Sequence, residues 1–150
     1  MLTVSKHCDK PTRWAIMDGG KPLEHDGITY QYFRTRKEAA EKLPELEGQL
    51  AYEARILADD AAGVIAWLPA EEAEIQAYAA KLRAVRFLEE SRPLVQEATK
   101  EEEWDAHALA AWDSHGPDAG CVIRAEIRRR RAGRKRAFDL AGVTMPEVCK

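Results

Sequence analysis

The first 34 residues combine short apolar runs with turn-forming residues. The runs TRWAIM and GITYQYF are rich in β-branched and aromatic side chains, and the segment between them contains the turn steps Asp18-Gly19-Gly20 and Asp26-Gly27. Glycine readily takes the positive φ angles that tight turns require. The pattern predicts a twisted antiparallel hairpin or small meander at the N-terminus.

Further along the chain, apolar residues recur every three or four positions, which is the period of an amphipathic helix. Thr35 and Glu38 have the spacing of a capping box, so we expect the first helix to start at Thr35. Its apolar stripe runs from Leu46 to Leu68. Pro69 should end this helix, because proline cannot continue it, and it suits the first turn of the next helix.

Two more helical segments follow. One lies in AEEAEIQAYAAKLRAVRFLEE, and the other is expected from Ser91 to His115, before Gly116-Pro117. The predicted fold class is therefore α+β, with a small N-terminal antiparallel hairpin or meander followed by a mainly helical bundle. The length of 150 residues suits a single domain. Within it we distinguish a β-hairpin region (1–34), a three-helix region (35–116) and a basic C-terminal segment (117–150).

The cysteines and the lack of long apolar runs indicate the expected environment. Cys8, Cys121 and Cys149 are odd in number and widely spaced, which is not typical of a disulfide framework or a zinc site. No stretch resembles a secretory leader or reaches the roughly 20 apolar residues of a membrane span. We therefore expect a soluble, cytoplasmic protein that does not bind membranes.

Charge is distributed unevenly along the chain. Residues 1–36 carry 6 basic and 4 acidic residues (+2), residues 37–118 carry 8 and 19 (−11), and residues 119–150 carry 9 and 3 (+6). Such a separation favours charged partners, association between copies, or docking of one region on another.

The strongest local signal is the basic sequence CVIRAEIRRRRAGRKRAFDLAG. Its apolar residues fit either a strand or a helix interrupted at Gly133, and the abundance of arginine and alanine favours the helix. Because guanidinium groups bind phosphates and carboxylates alike, the segment predicts contact with nucleic acid or with an acidic partner, including this chain's own KEEEWD. A solvated basic tail without a binding role is the third alternative. The candidate binding residues are Arg124, Arg128, Arg129, Arg130, Arg131, Arg134, Lys135 and Arg136.

Acidic residues on the third predicted helix are the complementary candidates. Carboxylates presented together on one surface could occupy a basic channel meant for nucleic acid. The candidate acidic face consists of Glu97, Glu101, Glu102, Glu103 and Asp105.

The same helix contains a four-residue word twice, Trp104-Asp105-Ala106-His107 and Trp112-Asp113-Ser114-His115. The two histidines lie eight residues apart, whereas two metal ligands on one helix need a spacing of three or four. Glu103 and His107 are the remaining pair with that spacing, and we expect no metal site. At about 100° per residue, a stripe that faces the core or a partner is formed by Trp104, Ala108, Leu109 and Trp112, with the aspartates and histidines mostly solvated.

Other catalytic patterns are incomplete. Pro117-Asp118 followed by Glu126-Ile127-Arg128 resembles the PD…ExK pattern of metal-dependent nucleases, but an arginine replaces the lysine and the spacing is short. His7-Cys8-Asp9 places a thiol beside an imidazole, yet side chains of adjacent residues usually point apart. The sequence also contains no P-loop, GxGxxG or GxSxG motif. We therefore expect no catalytic residue and no cofactor. A metal-dependent nuclease is the third and least favoured of the functions considered.

The segment YQYFRTRKEAAEKL resembles the strand-then-helix ending F.T..EA of small nucleic-acid-binding modules. Examples are the arm-binding domains of tyrosine recombinases and the hybrid-binding domain of ribonuclease H. The resemblance implies that Tyr30, Tyr32 and Arg34 contact a nucleic-acid backbone.

Two functions of different classes follow from these patterns. The first is a non-catalytic interaction protein, of the kind that phages and mobile elements encode, which binds and modulates or inhibits a host nucleic-acid-handling complex through acidic and basic surfaces. The alternative is a protein that binds DNA or RNA directly through the arginine-rich segment. The expected partners are a protein, a nucleic acid or both, and association between copies of the chain stays open.

Overall fold

A computed structural model describes residues 1–7, 10–23, 32–145 and 147. The elements are β1 (Leu2–His7), β2 (Lys10–Asp18), β3 (Lys21–Pro22), β4 (Tyr32–Phe33), α1 (Arg36–Ala62), α2 (Pro69–Val85), α3 (Ser91–Asp113) and α4 (Cys121–Ala141). The predicted α+β class, a small antiparallel sheet followed by a mainly helical remainder, is confirmed. Contacts divide the chain into two compact units, Met1–Ala54 and Arg55–Lys150, and folding as a single domain stays a prediction.

The first unit is built on the β1–β2 pair, in which Val4 lies opposite Ile16. The short strands β3 and β4 both pair with β2. Gly19 and Gly20 join β2 to β3 with positive φ angles of 56° and 84°, as a two-residue hairpin turn requires. This turn was predicted, whereas β1 was missed although Leu2 and Val4 alternate with polar residues. The predicted turn at Asp26-Gly27 lies outside the described residues.

The capping box predicted at the start of α1 is present. The Glu38 backbone N–H donates to Thr35 Oγ1 at 3.2 Å, and the Thr35 N–H donates to Glu38 Oε2 at 3.3 Å. Ala39 and Leu46 from this helix pack with Leu2 and Ile16 in the core of the first unit. The sheet and the first half of α1 thus bury a shared apolar layer.

The end of α1 differs from the prediction. The helix stops at Ala62, followed by Gly63 with a φ of 67°, instead of continuing to Pro69. Glycine takes this left-handed conformation without the steric cost that other residues meet, so it ends the helix before proline is reached. Pro69 begins α2, as expected from the sequence, because its missing N–H has no helical acceptor to lose there.

The second unit holds α2, α3 and α4, and α4 packs against both of the others. The core of this unit consists of Ile75, Ala79, Leu82, Ala98, Ala137, Phe138 and Ala141. Phe138 is fully buried and meets the ring of Tyr78 edge-on at a centroid distance of 6.1 Å. Small alanine side chains on all three helices allow the backbones to approach closely.

The basic segment forms the continuous helix α4, so the helical prediction is confirmed and the interruption expected at Gly133 does not occur. Gly133 lies in the helix against Trp67 and Ile75. The helix ends at Gly142, with a φ of 66°, and the Val143 N–H donates to the Phe138 carbonyl at 3.1 Å. This closing turn satisfies the last carbonyls of α4 and ends the helix.

Candidate functional site: the arginine helix and its carboxylates

The arginines of α4 point toward carboxylates of the same chain. Seven of the eight candidate basic residues form an ion pair with α1, α2 or α3, and the eighth, Lys135, pairs with Asp139 within α4. The charge that is separated along the sequence is therefore brought together in the fold. Residues 55–150 contain 15 basic and 17 acidic residues, a net charge of −2.

The centre of the arrangement is a buried cluster between α3 and α4. The Arg134 side chain is 4% exposed and donates from Nη1 to Glu102 Oε2 at 2.6 Å and from Nη2 to Asp105 Oδ2 at 2.9 Å. Arg131 also binds Glu102, and Arg130 also binds Asp105. Each buried carboxylate thus accepts hydrogen bonds from two guanidinium groups, which is the condition under which a buried charge is tolerated.

The protonation behaviour of Asp105 reflects two opposing effects. Burial alone would raise the pKa of this carboxyl, but the hydrogen bonds from Arg130 and Arg134 outweigh it and lower the pKa below its usual value. Burial likewise disfavours the charged Arg134, yet its carboxylate partners raise its pKa. Both shifts favour the charged forms of Asp105 and Arg134 and so favour the ion pair between them.

A second cluster joins α4 to the connection between α1 and α2. Arg129 donates from Nε and Nη2 to the two oxygens of Glu71, both at 2.7 Å, and from Nη1 to Asp59 Oδ2 at 2.7 Å. It also donates to the Ala66 carbonyl at 3.1 Å and lies over the Trp67 ring. Hydrogen bonds from Arg129 lower the pKa of Asp59 and of Glu71. Arg129 thus fixes the loop between the two helices.

The remaining pairs lie nearer the surface. Arg128 binds Asp60 at 2.7 Å and Arg136 binds Glu72 at 3.0 Å. Arg124 binds Asp113 at 3.2 Å and also donates to the Pro117 carbonyl. The side chains of Arg128, Arg130, Arg131 and Arg136 stay between one third and three fifths exposed. These four guanidinium groups are the ones that an external anion could reach.

The candidate acidic residues do not share one exposed surface. Glu102 and Asp105 are buried against α4, whereas Glu101 is exposed and accepts from Arg134 at 3.1 Å. Glu97 and Glu103 are exposed. The expectation that Asp105 is solvated is wrong, because two arginines supply the partners that its burial requires.

The two tryptophans of α3 have different surroundings. Trp112 is half-buried, and its indole ring lies so close to Gly120 that a Cβ atom there would overlap it. Trp104 is 76% exposed. The predicted shared stripe therefore divides, with Trp112 packing inside the unit and Trp104 facing outward.

Trp104 lies at the middle of a continuous exposed row on the outer side of α3. The row, called the Trp104 stripe below, consists of Pro93, Glu97, Lys100, Trp104, His107 and Ala111, all of them exposed. Among the described residues, no ion pair or hydrogen bond engages Glu97, Lys100 or His107. This stripe contrasts with α4, where every candidate cation is paired.

The other candidate patterns lie partly within the described residues, 1–7, 10–23, 32–145 and 147. Within the described ranges, no group of three or more histidine, cysteine, aspartate or glutamate residues is placed to hold a metal ion. Arg128, from the nuclease-like pattern, pairs with Asp60 instead of joining Asp118 and Glu126. Cys8, Asp9 and Tyr30 lie outside the described residues, while Tyr32 is in β4 and Arg34 is exposed just before α1.

Comparisons with models of protein families, with characterised proteins and with solved structures find no match to this chain. In the part of the chain that the structure describes, no helix has both the length and the apolar character needed to cross a bilayer.

Proposed function

We propose that this chain is a non-catalytic protein-binding module whose contact surface is the Trp104 stripe. The observation that carries the proposal is the exposure of Trp104 on a helix whose opposite side is fixed by buried ion pairs. Tryptophan is enriched at interaction hot spots, and a rigid helix face presents it with little loss of conformational entropy on binding.

The internal pairing of α4 supports protein binding over nucleic-acid binding. A guanidinium already paired with a carboxylate has most of its charge neutralised, so its attraction for a phosphate is weaker than that of an unpaired arginine. The buried Arg129 and Arg134 stabilise the fold in this proposal. The partner class proposed is the one expected from the sequence, a protein of a nucleic-acid-handling complex in the cytoplasm, which the module would modulate or inhibit.

The partner can be tested by affinity capture from the source cells with matched variants. Trp104→Ala should lose the partner while keeping the helical circular dichroism signal and the unfolding midpoint of the wild type. Phe87→Ala is the matched control, because Phe87 is also an exposed aromatic residue, at 85%, but lies outside the stripe. Retention of every captured protein by the Trp104 variant would refute the proposal.

Direct binding of DNA or RNA is the second candidate, favoured by the partial exposure of Arg128, Arg130, Arg131 and Arg136. A labelled duplex titrated at increasing salt tests it, since phosphate contacts weaken steeply as salt rises. The informative variant is Arg128→Ala with Arg136→Ala, because both pairs are near the surface. Changing Arg128 to Arg131 together would also remove Arg129 and unfold the loop that it holds. A steep salt dependence that the double variant abolishes would favour this candidate over protein binding.

A further inference from the structure

The residues of the Trp104 stripe are spaced four, three, four, three and four positions apart along α3. Alternating steps of three and four give the average period of 3.5 residues that two helices need to stay in contact along their length. The row from Pro93 to Ala111 spans about 27 Å at 1.5 Å per residue. The outer side of α3 therefore has the spacing of a helix-pairing seam, in which Trp104 is the large apolar side chain and Glu97, Lys100 and His107 are polar.

When two copies of this seam pair in antiparallel orientation, the side chains on one helix meet complementary side chains on the other. In an antiparallel pair with its two-fold axis at the level of residue 102, Glu97 lies opposite His107 of the second helix, and Lys100 lies opposite its Trp104. A carboxylate then faces an imidazole, and an ammonium group faces an indole ring, a favourable cation–π geometry. Pro93 meets the small Ala111 at each end, which leaves room for the indole rings at the centre.

The parallel arrangement is unfavourable by the same reasoning. It would place Glu97 against Glu97 and Lys100 against Lys100, and like charges in direct opposition repel. At the rim of the antiparallel pair, Glu103 of one copy lies within reach of Lys100 of the other. The seam thus selects both a partner and an orientation.

We propose that a second copy of this chain binds the Trp104 stripe through antiparallel pairing of the two α3 helices. This proposal rests on the proposed function, because both use the Trp104 stripe as the contact surface. Self-association would therefore compete with another protein partner for the same stripe. Two helices meeting over five turns form an interface at the small end of the range for specific complexes, so the dimer is concentration-dependent.

Sedimentation of the full chain over a range of concentrations tests the pairing. The wild type should shift from monomer to dimer, and Trp104→Ala should raise the dissociation constant by at least about tenfold because it removes the central side chain of the seam. Phe87→Ala should dimerise like the wild type. A wild type that stays monomeric up to about 1 mM, the weak end of measurable association, would overturn the proposal, as would an unchanged Trp104 variant.

A charge exchange tests the register. His107→Glu alone places two carboxylates opposite one another, and Glu97→Lys alone removes the carboxylate acceptor that faces the imidazole. Each change should weaken the dimer, whereas the two together place an ammonium group opposite a carboxylate and should restore it. No recovery in the double variant would overturn the antiparallel register. If the chain is monomeric but Trp104→Ala still loses a captured partner, this inference fails and the proposed function stands. If dimerisation depends on Trp104 while capture does not, the proposed function fails and the inference stands.

Discussion

Replacing Arg134 by methionine tests whether the buried cluster holds α3 and α4 together. Methionine keeps most of the volume of the arginine stem while removing the charge and all its donors. Arg134 makes hydrogen bonds to Glu101, Glu102 and Asp105, and the last two carboxylates are buried. Breaking a buried ion pair by removing one partner costs about 3 to 5 kcal/mol.

The low end of that range applies here. Asp105 would still be bound by Arg130, and Glu102 by Arg131, so neither carboxylate is left without a cation. We therefore expect Arg134→Met to lower the free energy of unfolding by about 3 kcal/mol. Urea denaturation followed by helical circular dichroism measures this value directly.

Lys135→Met is the matched control, since Lys135 is the next residue of α4 and its pair with Asp139 is exposed. The control should stay within about 0.5 kcal/mol of the wild type, as exposed pairs of this spacing contribute little. A loss for Arg134→Met no larger than that of the control would refute the claim that the cluster stabilises the helical unit.

Three further predictions concern other parts of the chain. The unfolding free energy should fall as the pH drops from about 5 to about 2, because carboxyls with lowered pKa values, such as Asp105, bind fewer protons when folded than when unfolded. In an acid titration, Asp105→Asn should lose less stability than the wild type over this range, and equal slopes for the two proteins would contradict the prediction. Gly120→Ala should lower the melting temperature more than Gly63→Ala does. Both glycines have a positive φ, but the added methyl group overlaps the Trp112 ring only at position 120. Equal decreases in melting temperature would show that the ring does not constrain Gly120. Thr35→Ala should remove one capping hydrogen bond and cost about 1 kcal/mol in chemical denaturation, whereas Thr35→Ser should retain most of it, and an equal loss in both variants would argue against the cap.

The local patterns that predicted the fold act over a few residues. The turn at Gly19-Gly20 and the capping box of Thr35 and Glu38 could be predicted from the sequence, because each depends on residues that are close together in the chain. The end of α1 was harder, since a positive φ at Gly63 competes with the stop signal at Pro69. Glycine and proline can both end a helix, and the sequence alone does not show which of these two residues ends α1.

The pairing across the helical unit depends on contacts between distant residues. Arg129 meets Glu71 and Asp59 across separations of 58 and 70 residues, a match that helical periodicity cannot reveal. Internal docking of the arginines on KEEEWD was one of the alternatives weighed, and Glu102 and Asp105 now give that contact a defined geometry. The assignment of Asp105 to solvent failed because an aspartate is ordinarily exposed unless paired, and its partners lie on another helix.

The ion pairs that neutralise α4 also weaken the long-range electrostatic attraction between this protein and other molecules. Opposite charges held within hydrogen-bonding distance cancel beyond about one Debye length, roughly 8 Å in physiological salt. A chain whose sequence contains blocks of −11 and +6 would therefore exert little long-range attraction once its helical unit has folded. Without such steering, association rates should fall in the ordinary range of about 10⁵ to 10⁶ per molar per second and respond weakly to ionic strength. Recognition would then depend on how long a partner stays after contact, which places selectivity in the dissociation rate.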